Sequence, residues 1–160
     1  MRKIKAKELT VEGFAPYGEF YNLVEPTGKN LGSFYHDHVL YHTSGRMPVA
    51  FSSLVVDKPE KYIVDSAEYH NYTGEVLLPL DDDVVIHVAA PSKEPVSELT
   101  EAFLVPKGTV VRLNAAVWHL APMALHNDKS HVLIVLPERV YYNDCYVVDY
   151  PEEDHIEIEL

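Results

Sequence analysis

Between residues 68 and 75 the chain reads Glu-Tyr-His-Asn-Tyr-Thr-Gly-Glu, and three of those side chains can bind a divalent metal ion. Glu68 and His70 stand two apart, so on a β-strand both project from the same face. Glu75 has the opposite parity, but Tyr72-Thr73-Gly74 can restore it through a turn or bulge. His119, far downstream after an apolar strand and a turn, is a fourth candidate. The same early spacing also fits a polar hairpin tip with surface glutamates, because motifs this short recur by chance.

Other stretches carry weaker signals. His36, His38 and His42 share one strand parity, and a histidine row can bind metal. Asp37, the one nearby carboxylate, has the opposite parity, which favours the polar outer face of an edge strand. Asp81-Asp82-Asp83 lacks the spacing of a calcium loop and reads as a solvated hairpin tip. His87, inside the most hydrophobic segment, reads as a core or cavity-lining residue. The one cysteine, Cys145, excludes an intramolecular disulfide framework and a cysteine zinc cage, and reads as a buried structural residue.

Elements that could position these groups follow from the composition. The 160 residues suffice for one domain with a real core, and 47% hydrophobic with 24% charged residues is ordinary for a soluble globular protein. Eleven Tyr, eleven Pro and many Val, Ile and Thr favour strands and turns. A net charge of −12 argues against a nucleic-acid partner or an anionic membrane surface. Acidic residues from Glu152 to Glu159 read as a solvated tail. No apolar run approaches the ~20 residues that span a bilayer, and the basic start lacks a signal core, so a cytoplasmic protein is expected.

Strands are expected at Ile4–Leu9, Glu19–Val24, Phe34–Thr43, Val49–Val56, Tyr62–Glu68, Glu75–Leu80, Val84–Ala90, Leu99–Val105, Val110–Leu113, His131–Leu136 and Tyr146–Asp149. Val49–Val56 is apolar enough for the core. Thr10 can cap a helical turn through Phe14. About ten short strands with close turn signals and almost no helix mean an all-β sandwich or barrel, here a single domain over 1–160. Such a barrel leaves a mouth where a ligand can sit.

The late segment counts as Gly108, five residues, Asn114, one residue, Ala116, two residues, His119. This resembles the second signature of the cupin superfamily, with Asn114 in place of its proline and Ala116 in place of its glycine. The first signature is His-x-His, three or four residues, Glu, then six residues to a glycine. His70 and Glu75 match it, Glu68 stands for the first histidine, and Asp82 replaces the glycine. Adjacent strands of such a barrel deliver three or four N/O ligands inward, so Glu68, His70, Glu75 and His119 form a candidate site for one divalent ion (Ni, Mn, Fe or Zn).

A closer resemblance runs nearly end to end. Phe14-Ala15-Pro16-Tyr17-Gly18-Glu19, Tyr35-His36-Asp37, Glu68-Tyr69-His70, Leu77-Leu78-Pro79-Leu80, Val117-Trp118-His119 and Asn143-Asp144-Cys145 are similar to the ureidoglycolate lyase family, formerly called ureidoglycolate hydrolase. The resemblance implies a cupin-type double-stranded β-barrel, usually a homodimer. It also implies cleavage of ureidoglycolate, a small hydroxy acid, to glyoxylate and urea in allantoin and purine breakdown. The base would be Glu75 or His119.

Three departures stand out. Leu120 replaces a second histidine, Phe51-Ser52-Ser53-Leu54 lacks an Asn-Arg pair, and Glu75 replaces a common glutamine. A carboxylate-bearing substrate would want a cation at the mouth, for which Arg46, Arg112 and Arg139 are candidates. Two alternatives follow from the departures. One is another metal-dependent cupin enzyme, an isomerase, epimerase or decarboxylase acting on a small hydroxy or keto acid or a sugar. The other is a cupin that binds a small molecule without turnover.

Overall fold

The computed structural model describes residues 1–43 and 47–160, so the expected Ser44-Gly45-Arg46 turn and the candidate Arg46 lie outside the described residues. The early strands are β1 (Arg2–Glu8), β2 (Gly18–Asn22), β3 (Asn30–Leu31), β4 (Phe34–Tyr35) and β5 (Val49–Asp57). The middle of the chain gives β6 (Ile63–Val64), β7 (Ser66–Tyr69), β8 (Glu75–Pro79), β9 (Val84–Ala89), β10 (Glu101–Val105) and β11 (Thr109–Leu113). Last come β12 (Trp118–His119), β13 (Met123–Ala124), β14 (Lys129–Pro137), β15 (Tyr146–Asp149) and β16 (Ile156–Glu159). Two single-turn helices, α1 (Val11–Phe14) and α2 (Val140–Asn143), interrupt them. Thr10 caps the first as expected, its hydroxyl accepting from the Gly13 N–H at 3.0 Å.

The strands form two main sheets. One runs β2-β11-β8-β14-β5; the other runs β15-β7-β12-β9-β10-β1-β16-β6, with β13 added on β9. Between them lies a core of Leu77, Val111, Leu113 and Val132 from the first sheet and Val84, Ile86, Val88, Phe103 and Val105 from the second. This is the all-β double-sheet barrel of the cupin type. The period of two supplies the pattern: Val84, Ile86 and Val88 face this core, while Val85 and Ala89 face a second one.

That second core exists because the larger sheet curls. Its terminal strand β6 and its penultimate strand β7 are consecutive in the chain, joined through Asp65 alone. The curl encloses Val64, Ala67, Val85, Trp118, Ile156 and Ile158. The acidic tail is therefore a strand rather than a solvated extension: β16 pairs in parallel with β1, burying Ile156 and Ile158 and turning its glutamates outward.

Three other expectations need correction. Val49–Val56 forms β5 at the edge of its sheet, where Phe51 is 74% exposed, because alternate residues face away from the core. The segment 34–43 is a strand only at Phe34–Tyr35, so there is no histidine row. His38 instead stacks on Tyr21 with ring centroids 4.0 Å apart, and His42 is exposed. The three-aspartate turn is not simply a solvated tip. Asp82 is buried and accepts from the backbone N–H groups of His126 and Asn127 and the Ser130 hydroxyl, each at 2.9 Å. No helix among the described residues is long and apolar enough to cross a membrane.

Candidate active site

The residues singled out at 68, 70, 75 and 119 meet between the two sheets. Glu68 on β7 is directly opposite His119 on β12, and His119 is opposite Val88 on β9. Residues paired across antiparallel strands share a face, and Val88 faces the inter-sheet core, so Glu68 and His119 face inward too. His70 continues past the end of β7. Glu75 comes from the other sheet, where it pairs with the inward-facing Leu113. One ligand atom from each of Glu68, His70 and His119 lies within 4.8 Å of the other two.

The parity problem at Glu75 is solved at Gly74. A Cβ on Gly74 would come 2.3 Å from the Leu113 carbonyl oxygen, so only glycine lets the chain pass there. The segment between β7 and β8 leaves the strand geometry, and Glu75 re-enters on the inward face.

Donor and acceptor roles follow from the carbonyl partners. The Nδ1–H of His70 donates to the Asp144 carbonyl at 2.6 Å, and the Nδ1–H of His119 donates to the Val117 carbonyl at 2.8 Å. Both Nε2 atoms are thereby aimed at Glu75, whose Oε2 is 3.1 Å from that of His70 and 3.4 Å from that of His119. Without a cation, a proton must sit on Nε2 for these contacts to be hydrogen bonds.

The electrostatics agree. Burial pushes the Glu75 carboxyl up, but hydrogen bonds and charge from His119 and His70 outweigh it and hold the group at about 2. Burial pulls His119 down, yet the Glu75 hydrogen bond and charge outweigh it and leave the imidazole above its usual value. A divalent cation would occupy the role these ring protons play. With both Nδ1–H groups held by carbonyls, two Nε2 lone pairs and two carboxylates form a donor set that fits Mn, Fe, Ni or Zn.

Two groups near the site, Cys145 and Tyr41, were given no role there by the sequence. Cys145, expected as a buried structural residue, is partly exposed and donates its S–H to Glu68 Oε2 at 3.0 Å. Burial first, then the hydrogen bond and charge of Glu68, push its thiol up to about 12, so it remains a neutral donor. The Tyr41 hydroxyl lies 3.1 Å from Thr73 Oγ1, and burial followed by the charge of Glu75 raises its phenol, against the lowering effect of the Thr73 hydrogen bond. His87 is buried as expected, but its side chain alternates to the second core, away from Glu75.

Neither described arginine candidate joins the cluster. Arg112 alternates with Leu113 and so faces outward, where it meets Glu19 at 3.2 Å and donates to Asn114. Arg139 is exposed at the head of α2 with φ of 63°.

Fold and site together define a double-sheet β-barrel with carboxylates and imidazoles gathered between its sheets. The family model described as Ureidoglycolate lyase matches residues 1–157, and the chain belongs to that family of lyases. A ureidoglycolate lyase of Pseudomonas savastanoi pv. phaseolicola is 29% identical over 155 residues, covering 91% of this chain and 88% of the relative. One from Rhodobacter capsulatus is 27% identical, covering 77% and 81%. Among solved structures, Bacillus subtilis oxalate decarboxylase aligns at a TM-score of 0.45 and 17% identity, over 63% of this chain and 23% of that one. A dTDP-6-deoxy-D-glucose-3,5-epimerase of Legionella pneumophila aligns at 0.49 and 8%, over 70% and 59%.

Proposed function

We propose that this chain, as one domain over 1–160, splits ureidoglycolate into glyoxylate and urea with the help of a divalent metal ion, in allantoin breakdown in the cytoplasm. The observation that carries the reading is the family match over residues 1–157, which falls on a chain whose Glu75 touches two inward imidazoles.

In this reading Glu68, His70 and His119 hold the ion, one ligand atom of each lying within 4.8 Å of the other two. An ion bound there would supply Lewis acidity toward the substrate's carboxylate and hydroxyl oxygens. Glu75, ionised near neutrality, accepts the hydroxyl proton. The O–H electron pair becomes the second bond of the glyoxylate carbonyl while the C–N bond breaks. The C–N pair stays on the departing nitrogen, which takes a proton back from Glu75 to give urea. Burial of the site keeps bulk water from competing for that proton.

The test is to follow glyoxylate release by purified protein with chelator and with Mn, Fe, Ni or Zn restored. Turnover lost with chelator and regained with one of these ions is expected; no glyoxylate with any ion would overturn the assignment. The outward placement of Arg112 favours a second reading, a related reaction on another small hydroxy or keto acid, which the same assay with a substrate panel separates. We also read the exposed outer face of the five-stranded sheet, around Phe51 and Val55, as the contact of a homodimer. Phe51→Glu should then halve the mass in solution.

A further inference from the structure

Two adjacent residues that bear none of the chemistry above make two contacts with groups that do and two with the bend that joins them. The single turn of α2 ends at Asp144, whose N–H donates to the Val140 carbonyl at 2.8 Å. The Asp144 side chain is buried, and its two oxygens take separate backbone donors: Oδ1 from the Asn71 N–H and Oδ2 from the Tyr72 N–H, both at 2.8 Å. Those amides belong to the bend that carries the chain from His70 toward Glu75. The Asp144 carbonyl takes the Nδ1–H of His70, and the next residue, Cys145, donates to Glu68.

These contacts have chemical content beyond packing. A neutral imidazole owns one N–H, so a carbonyl that claims it at Nδ1 leaves the lone pair at Nε2. A thiol on Glu68 Oε2 fixes the rotation of that carboxylate and leaves Oε1 turned elsewhere. Groups that orient ligands in this way determine whether a cation meets a ready site or must assemble one.

We propose that Asp144 and Cys145 are positioning residues of the metal site: the Asp144 side chain pins the bend after His70 and so holds its own carbonyl against the His70 ring, and Cys145 fixes the Glu68 carboxylate. The inference rests on the reading of Glu68, His70 and His119 as metal ligands. Serine at 145 keeps a hydroxyl donor of nearly the same shape, whereas alanine has none, so the pair separates orientation from filling of space.

Calorimetric titration of the metal-stripped protein with Mn²⁺ and with Zn²⁺ tests it, alongside the ¹⁵N ring signals of His70 in the Zn²⁺-loaded protein. Asp144→Ala and Cys145→Ala should each weaken metal binding by about 10–100-fold. Cys145→Ser should stay close to the parent. In the Zn²⁺-loaded parent His70 should show one ring environment, with Nε2 on the ion and the proton at Nδ1, and Asp144→Ala should show a second. If Asp144→Ala fails to fold, Asp144→Asn, which keeps one acceptor oxygen, and the pair at 145 carry the test. A parent that binds metal while the alanine variants bind it as tightly overturns this inference and leaves the metal reading standing. Equal losses for serine and alanine at 145 assign that residue to packing alone and overturn its part. A parent that takes up neither ion overturns the metal reading, and this inference with it.

Discussion

Glu75 and Asp82 are both buried carboxylates held below their usual range, and they are held by different kinds of donor. Burial pushes each one up; hydrogen bonds then pull each one down. Around Glu75 the donors are two imidazole Nε2 atoms. Around Asp82 they are mainly backbone amides, of Asn127, His126 and Asp83, with the Ser130 hydroxyl. An amide proton cannot leave, so the Asp82 arrangement has one state and serves as a fastener between β14 and the turn before β9. An imidazole proton can leave, so the Glu75 arrangement can exchange a proton for a cation. Depth and pKa direction alone do not distinguish a site from a fastener; the exchangeability of the donors does.

The sharpest way to break this contrast is Glu75→Gln, which keeps the shape but removes the base. Ureidoglycolate turnover should fall by about 10²–10⁴-fold, as expected for loss of a proton-transferring group, while the thermal midpoint moves little. Asp82→Ala should behave in reverse. It strands buried donors at about 1–3 kcal/mol for each one left unpaired, so urea unfolding should shift strongly while turnover at low temperature persists. Comparable losses of activity in both variants would erase the distinction.

Acid titration of stability sharpens it further. Asp82 has a folded pKa below its unfolded one, so its contribution is complete above the usual carboxylate value and is lost as pH falls through the folded value. His87 adds to the same limb from a higher pH. Burial, then the neighbouring charge of His119, lowers it from 6.5 to about 3, so unfolding takes up a proton between those values. Its contribution is complete above pH 6.5 and declines at up to about 1.4 kcal/mol per pH unit on the way down. His87→Leu should flatten the upper part of the decline and Asp82→Ala the lower part, both read by denaturant unfolding from pH 7 to 3.

The smallest expected effect lies beside the site. Ala116 has φ of 64°, and its N–H donates to the His70 carbonyl at 2.7 Å. Ala116→Gly removes a left-handed penalty of about 1–2 kcal/mol, partly offset by glycine's greater freedom when unfolded. The midpoint of thermal unfolding should rise by a few degrees.

Ala116 also marks what the sequence could and could not convey. Its place in the late signature predicted a turn, and the backbone kept the glycine conformation although the side chain changed. Glu68 and His70 were legible from their parity, and His119 from its spacing to Gly108. Local rules reached Thr10 as well, since a cap and the amide that donates to it lie three residues apart. They failed for Asp82, because three of its four donors lie 44 to 48 residues away and nothing near it announces them. The contacts of Asp144 and Cys145 were hidden for the same reason, more than 70 residues from the groups they touch, although Asn143-Asp144-Cys145 formed part of the family resemblance. The histidines at 36, 38 and 42 misled in the opposite direction. Even spacing suggested a face, but the strand ends at Tyr35 and parity then has no meaning.

The parallel pairing of β1 with β16 sets an order of events during synthesis. Arg2 aligns with Ile156 and Lys5 with Glu159, so β1 must wait for β16 before it is covered on that side. Asp144 and Cys145 also emerge late, long after Glu68 and His70 have left the ribosome. A nascent chain halted near residue 140 would hold most of the first core, an open curl around Val64 and Val85, and a His70 with no carbonyl at Nδ1. Closure of such distant contacts is slow and leaves apolar edges exposed meanwhile. The same pairing makes loss of β16 costly: without residues 156–159, β1 and β6 lose the partner they share and the second core loses Ile156 and Ile158.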